Sequence, residues 1–196
     1  AKITSVTTHA GLLVNEKFVC ISNPAMLIFK PEGKPDFERA VAKIKLYTSG
    51  THLPTGPVGD FKGIETEEEA KEFLLEVLEF GESFIAMDTE GTGLYPRDGY
   101  VLGVSITYKP RHGRYILVDA LNDENTELLQ KIIDKYETVF HNMKYDMKML
   151  RYHLNLKFNP NRVHDTMVMH YTLDENGMHG LKALALKYTD YGDYDT

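Results

Sequence analysis

The sequence predicts an α/β domain preceded by a small α+β appendage. Three observations carry this. Strand-like runs follow one another between Phe84 and Ala120, broken only by turn chemistry. After them, the apolar period lengthens from that of a strand to that of a helix. Before them, residues 48–63 ("TSGTHLPTGPVGDFKG") hold four Gly and two Pro with no periodicity, which is linker chemistry. The expected organisation is an appendage at 1–47, a linker at 48–63 and a main domain at 64–196.

The elements follow in order. "KFVCIS" (Lys17 to Ser22) and "AMLIF" (Ala25 to Phe29) read as short strands. "KPDFERAVAKIKLY" reads as a helix, with Pro35 near its start and Phe37, Val41, Ile44 and Lys45 near one face. The main domain opens on "TEEEAKEFLLEVLEF". Thr66 can cap this helix and Glu69 completes a capping box, while Phe73, Leu74, Val77 and Leu78 form an apolar stripe. "SFIAMDTE", "YVLGVSITY" and "RYILVDA" are the three strands of a meander, with the last turn at Arg111-His112-Gly113. "NTELLQKIIDKYE" is a helix, "TVFHN" a short strand and "MKYDMKMLRYHL" a second helix. "HDTMVMHYTL" and "GLKALALKY" are two more.

Composition narrows the function. A net charge of -7 excludes a protein that grips nucleic acid by bulk positive charge, though not one that uses metal ions at a small site. The single Cys20 allows no internal disulfide framework and fits a reducing compartment. No run reaches the roughly 18 apolar residues of a membrane span, and the N-terminus lacks the apolar core of a signal peptide. The eight His show no zinc-binding spacing.

The chemistry concentrates in "FIAMDTEGTGLYPRDG" (Phe84 to Gly99), where Asp88 and Glu90 stand two apart at a strand end. Residues i and i+2 point to the same face of a strand, so the two carboxylates can converge. Their mutual repulsion is relieved by a divalent cation, and Mg2+ takes carboxylate oxygens while keeping waters for a substrate phosphate. Alone, such a tripeptide also suits a solvated strand end. A second element is "HNMKYDMKML". There Asn142 ends a strand and can start a helix, and Asp146 falls one turn in, where the helix dipole favours its ionised form. Alone, this also suits a capped amphipathic helix. His164 and Asp165 read as a helix start with Asp165 as cap, and His141 as a strand-end histidine.

A strand with D-x-E, a meander, a helix and then N-x-x-Y-D form a specific order. It resembles the 3'-5' exonuclease domains of the DEDD (DnaQ-like) superfamily, which have a ribonuclease-H-like mixed sheet flanked by helices. "MDTEGTGLYP", "HNMKYDMKML" and "HDTMVMHYTLDENGMHGLKALALKY" are most similar to the proofreading domain of family A DNA polymerases. The resemblance covers roughly residues 64–196, and the block at 1–47 resembles the N-terminal region of phage polymerases.

The resemblance implies a two-metal site using Mg2+ or Mn2+, with two ions clamping the scissile phosphate. Asp88 would bridge both ions, Glu90 would hold the first, and Asp146 the second through water. Leu94 would wedge against the terminal base, and Thr92 and the backbone near Gly91 and Gly93 would approach the terminal nucleotide. Asn142 would donate to the sugar-phosphate backbone, with Tyr145 beside it. The implied partners are a DNA primer 3' end, met as single-stranded DNA, and the remainder of a polymerase chain. The implied location is the cytoplasm of an infected bacterial host.

One part of the family pattern is displaced. A later Y-x3-D normally completes the site. Its formal match, Tyr191 to Asp195, sits on a Gly-containing terminal segment unsuited to a packed helix. The chain is therefore expected to stop before its third exonuclease motif and to have little nuclease activity alone. Two competing readings are a ribonuclease-D-like exonuclease and a catalytically inert exonuclease-fold scaffold. The polymerase-like run from Asp165 to Leu184 argues against the first. The presence of Asp88, Glu90 and Asp146 argues against the second.

Overall fold

A computed structural model of the chain describes residues 13–14, 18–48 and 59–189. A short hairpin comes first, with β1 (Leu13–Val14) antiparallel to β2 (Phe18–Val19). The apolar run after it departs from expectation. Met26–Phe29 is one turn of helix, α1, instead of a strand. The cause lies just upstream. Asn23 accepts Ala25 N through its side chain at 3.0 Å and Met26 N through its carbonyl at 2.9 Å, and Pro24 supplies a helix-ready φ. Helix α2 (Lys34–Thr48) follows as expected, with Ala40 buried.

Residues 60–63, within the expected linker, form most of strand β3 (Asp60–Ile64). Only Ile64 of this strand is buried, so no apolar alternation announces it. It is an edge strand anchored at its start. Asp60 N donates to Arg111 O at 2.8 Å, and Arg114 Nη2 donates to Asp60 Oδ2 at 2.8 Å.

The rest of the main unit takes the expected order with one addition. Helix α3 (Glu67–Phe80) is capped by Thr66, whose hydroxyl accepts Glu69 N at 3.3 Å. Ala70, Phe73, Leu74 and Val77 form its buried stripe, each large apolar side chain contributing roughly 1.5–3 kcal/mol of burial. Strands β4 (Phe84–Gly91), β5 (Val101–Lys109) and β6 (His112–Leu117) make the antiparallel meander. The last turn falls at Pro110–Arg111, one residue before the expected position, with Arg111 at φ 60°. Helix α4 (Asp123–Lys135) is capped by Asn122, which accepts Asn125 N at 2.9 Å.

Strand β7 (Glu137–Phe140) then lies parallel to β4, and helix α5 (Lys144–His153) leads to β8 (Val163–Asp165), parallel to β7. This three-residue strand is the addition; its shortness hides it in the sequence. Helix α6 (Thr166–Leu173) starts directly from it. The strand order is β3-β6-β5-β4-β7-β8, a mixed six-stranded sheet. Ile85, Met87, Val104, Ile106 and Ile116 join the buried residues of α3, α4 and α5 in one core. This unit spans Gly59–Gly177. The other compact unit combines the N-terminal block, Ala1–Val58, with Met178–Thr196, which holds α7 (Leu181–Tyr188). Residues 49–58 of the expected linker and the Tyr191–Asp195 segment lie outside the described residues.

Candidate active site

Strand β4 alternates without a break. Ile85, Met87 and Thr89 are buried, while Phe84, Ala86, Asp88 and Glu90 are exposed. The buried set fixes the register, because a slip of one residue would turn both acids into the core. Asp88 and Glu90 therefore share the open face. The pairing with β5 shifts at Glu90/Gly91, so that Glu90 opposes Gly103 and Gly91 opposes Val101. The unpaired residue, Leu102, belongs to β5, so the irregularity bends that neighbouring strand where it flanks Glu90 and Gly91.

Asp146 meets this strand from the first turn of α5 and is 2% exposed. Burial, and then the charge of Asp88, push its carboxyl up to about 6. The helix dipole was expected to hold it ionised, but desolvation outweighs that contribution here. Asp146 Oδ1 and the hydroxyl of Thr89 are both buried without a hydrogen-bond partner, although Thr89 lies close enough to oppose the shift in part. Tyr145 brings the acids into one neighbourhood. Its phenol is pushed up by burial and then by Asp146, Glu90 and Asp88.

Tyr145 also ties α5 to the loop after β4, donating from its hydroxyl to Gly93 O at 3.1 Å. Gly91 permits this approach: a Cβ there would lie 2.5 Å from that hydroxyl and 2.9 Å from Met149 Cε. The loop closes on itself. Thr92 N donates to Tyr100 O at 3.1 Å, and the Thr92 hydroxyl accepts Tyr100 N at 3.1 Å. Its tip presents Leu94, which is 81% exposed.

Asn142 does not cap α5. Met143 takes that position with no side-chain cap, and Asn142 stands at φ 62° with its side chain exposed. The missing cap comes from Asp165, which accepts Asn142 N and Met143 N at 3.0 Å each. Asp165 also caps α6 as expected, accepting Met167 N at 2.9 Å and Val168 N at 3.4 Å. Its reach across to α5 has no signal in the local sequence. His141 Nδ1 pairs with Thr166 Oγ1 at 2.9 Å, and His164 Nε2 with Glu137 Oε2 at 2.7 Å; both contacts are structural.

The donor set suits a hard divalent cation. It offers carboxylate oxygens only, one of them buried and lacking a partner. Among the described residues no three His, Cys, Asp or Glu side chains close tightly enough to hold an ion alone. Asp88 and Glu90 lie on an open surface, with Asp146 buried beside them. A cavity of about 380 Å³ lies elsewhere, lined by Glu76, Phe80, Glu82, Tyr108 and Lys109. Among the described residues no helix is long and apolar enough to cross a membrane.

The six-stranded mixed sheet flanked by helices is a ribonuclease-H-like fold. The model of the 3'-5' exonuclease family matches residues 61–196, and the chain belongs to that family, as the exonuclease domain of phage and family A DNA polymerases. It is 45% identical over 180 residues to the DNA polymerase of Escherichia phage T5, covering 88% of this chain and 21% of that one. It is 33% identical over 113 residues to DNA polymerase I of Borreliella burgdorferi, covering 54% of this chain and 12% of that one. The chain thus spans about a fifth or less of these relatives' length. Among solved structures, the catalytic core of RRP6 from Trypanosoma brucei shares the fold with a TM-score of 0.56 at 17% identity, over 72% of this chain and 39% of that one. Brucella melitensis NrnC with bound Mg2+ does so with a TM-score of 0.52 at 18% identity, over 70% and 64%.

Proposed function

We propose that this chain supplies the proofreading activity of a family A DNA polymerase, releasing the 3'-terminal nucleotide of a DNA strand. The observation that carries this is the acid trio: Asp88 and Glu90 on one open face, and a buried Asp146 whose carboxyl feels the charge of Asp88. Kinship with polymerases supports this over a ribonuclease-D-like reading, which rests on fold alone.

Asp88, Glu90 and Asp146 would hold two divalent ions, Mg2+ or Mn2+. When bound, such ions supply Lewis acidity for transferring a phosphoryl group to water. The chain's own residues do the rest. Tyr145 holds the carbonyl of Gly93, and so the loop that offers Leu94 to the terminal base. Thr92 keeps that loop closed beneath the terminal nucleotide. Asn142, exposed on its turn, offers its amide to the sugar-phosphate backbone. Hydrolysis breaks the bond from phosphorus to the 3'-oxygen and leaves a 5'-mononucleotide and a shortened 3'-hydroxyl end. The exonuclease domain then begins at β3, with the N-terminal block as an appendage. Its partners are the primer 3' end and the rest of the polymerase, in the cytoplasm of an infected bacterium.

The test uses the full-length protein and single-stranded DNA labelled at its 5' end. We expect a ladder shortening one nucleotide at a time, dependent on Mg2+ and stopped by EDTA. Internal cleavage, or loss of the 5' label as a mononucleotide, contradicts the proposal.

A further inference from the structure

Asp165 joins two helix starts. It ends β8 and is 7% exposed. Its Oδ1 accepts Asn142 N at 3.0 Å, Met167 N at 2.9 Å and Val168 N at 3.4 Å, and its Oδ2 accepts Met143 N at 3.0 Å. One carboxylate thus satisfies four backbone N–H groups, and bonds to an ionised acceptor are about twice as strong as neutral ones. Two of those groups belong to the turn between β7 and α5. That turn has no side-chain cap of its own and holds Asn142 at φ 62°, a conformation that costs roughly 1–2 kcal/mol for most residues. The next residue grips the same turn. Thr166 donates from its hydroxyl to Phe140 O at 3.2 Å and pairs with His141 at 2.9 Å.

Asp146 lies in the first turn beyond Met143. We infer that Asp165 is a positioning residue for excision: through the amides of Asn142 and Met143 it seats α5, and with it the Asp146 carboxylate, against β4. It thereby sets the affinity of the acid site for its divalent cation. This inference rests on the exonuclease reading above.

Asp165→Ser tests it in the full-length protein. Serine can still cap α6 but is too short to reach across to Asn142 and Met143. Asp165→Asn is the conservative variant, keeping one oxygen while facing an N–H with its amide. We expect the half-saturating Mg2+ concentration for excision to rise about tenfold or more in Asp165→Ser. The Asn variant should fall between. Independently of activity, hydrogen exchange in the metal-free protein should quicken across 141–150 and stay unchanged across 128–133. A merely structural role lowers the active fraction and leaves half-saturating Mg2+ unmoved. That result, or unchanged exchange at 141–150, overturns the inference. Absence of any excision by the unmodified protein would overturn the exonuclease reading instead, and the exchange comparison would still judge Asp165.

Discussion

Burial makes the ionised form of Asp146 costly. Its folded carboxyl titrates at about 6 against 3.8 for the unperturbed group. The native state therefore gains stability from the protonated form. That gain is complete below about pH 3.8 and is lost as pH rises through about 6. In the metal-free protein above that range, the penalty is of order 3 kcal/mol. Thermal denaturation in EDTA should show Asp146→Asn more stable than the unmodified protein at pH 7.5 and equal to it near pH 4. Mg2+ should narrow the gap by stabilising only the unmodified protein, and a gap independent of pH would refute this account. Leu94 makes the opposite case. At 81% exposure, its replacement by Ala should alter stability by no more than about 0.5 kcal/mol. The same change should slow excision, measured on end-labelled DNA, if Leu94 engages the terminal base. At this scale the D-x-E pair was legible because strand period alone puts both acids on one face. The upward shift of Asp146 was not, because it arises from tertiary burial.

Two connections carry the site at the scale of elements. At the turn between β7 and α5, the left-handed conformation of Asn142 separates backbone from side-chain roles. Asn142→Gly should keep stability and weaken excision if the amide touches the substrate, whereas Asn142→Ala should also lose about 1 kcal/mol in denaturant melts. At the loop after β4, Tyr145→Phe removes the 3.1 Å bond to Gly93 O. A cost of about 1 kcal/mol and a fall in excision are expected, read by melting and by primer shortening. Helices α2 to α7 and the three-strand meander were readable from caps and periodicity. Strand β3 was not, because an exposed edge strand has no apolar alternation. Met26–Phe29 misread as a strand because four apolar residues in a row have no period, although Asn23-Pro24 carried the helix-start signal. The clamp from Asp165 to α5 was invisible because a side chain reaching a distant turn leaves no mark on local spacing.

The whole molecule is acidic, at -7, yet is assigned a polyanionic substrate. In the proposed reading, divalent cations held by three carboxylates meet the substrate, so binding need not come from surface charge. The order of motifs along the chain carries this architecture, since the sheet order β5-β4-β7 brings β4 and α5 together. The most direct measurement is therefore Asp88→Ala in the full-length protein, assayed for primer shortening and primer extension on the same DNA. Shortening is expected to fall by about three orders of magnitude or more, equivalent to some 4 kcal/mol of transition-state stabilisation, while extension is retained. Shortening that persists at the unmodified rate would contradict the role of Asp88 and, with it, the acid trio as the catalytic centre.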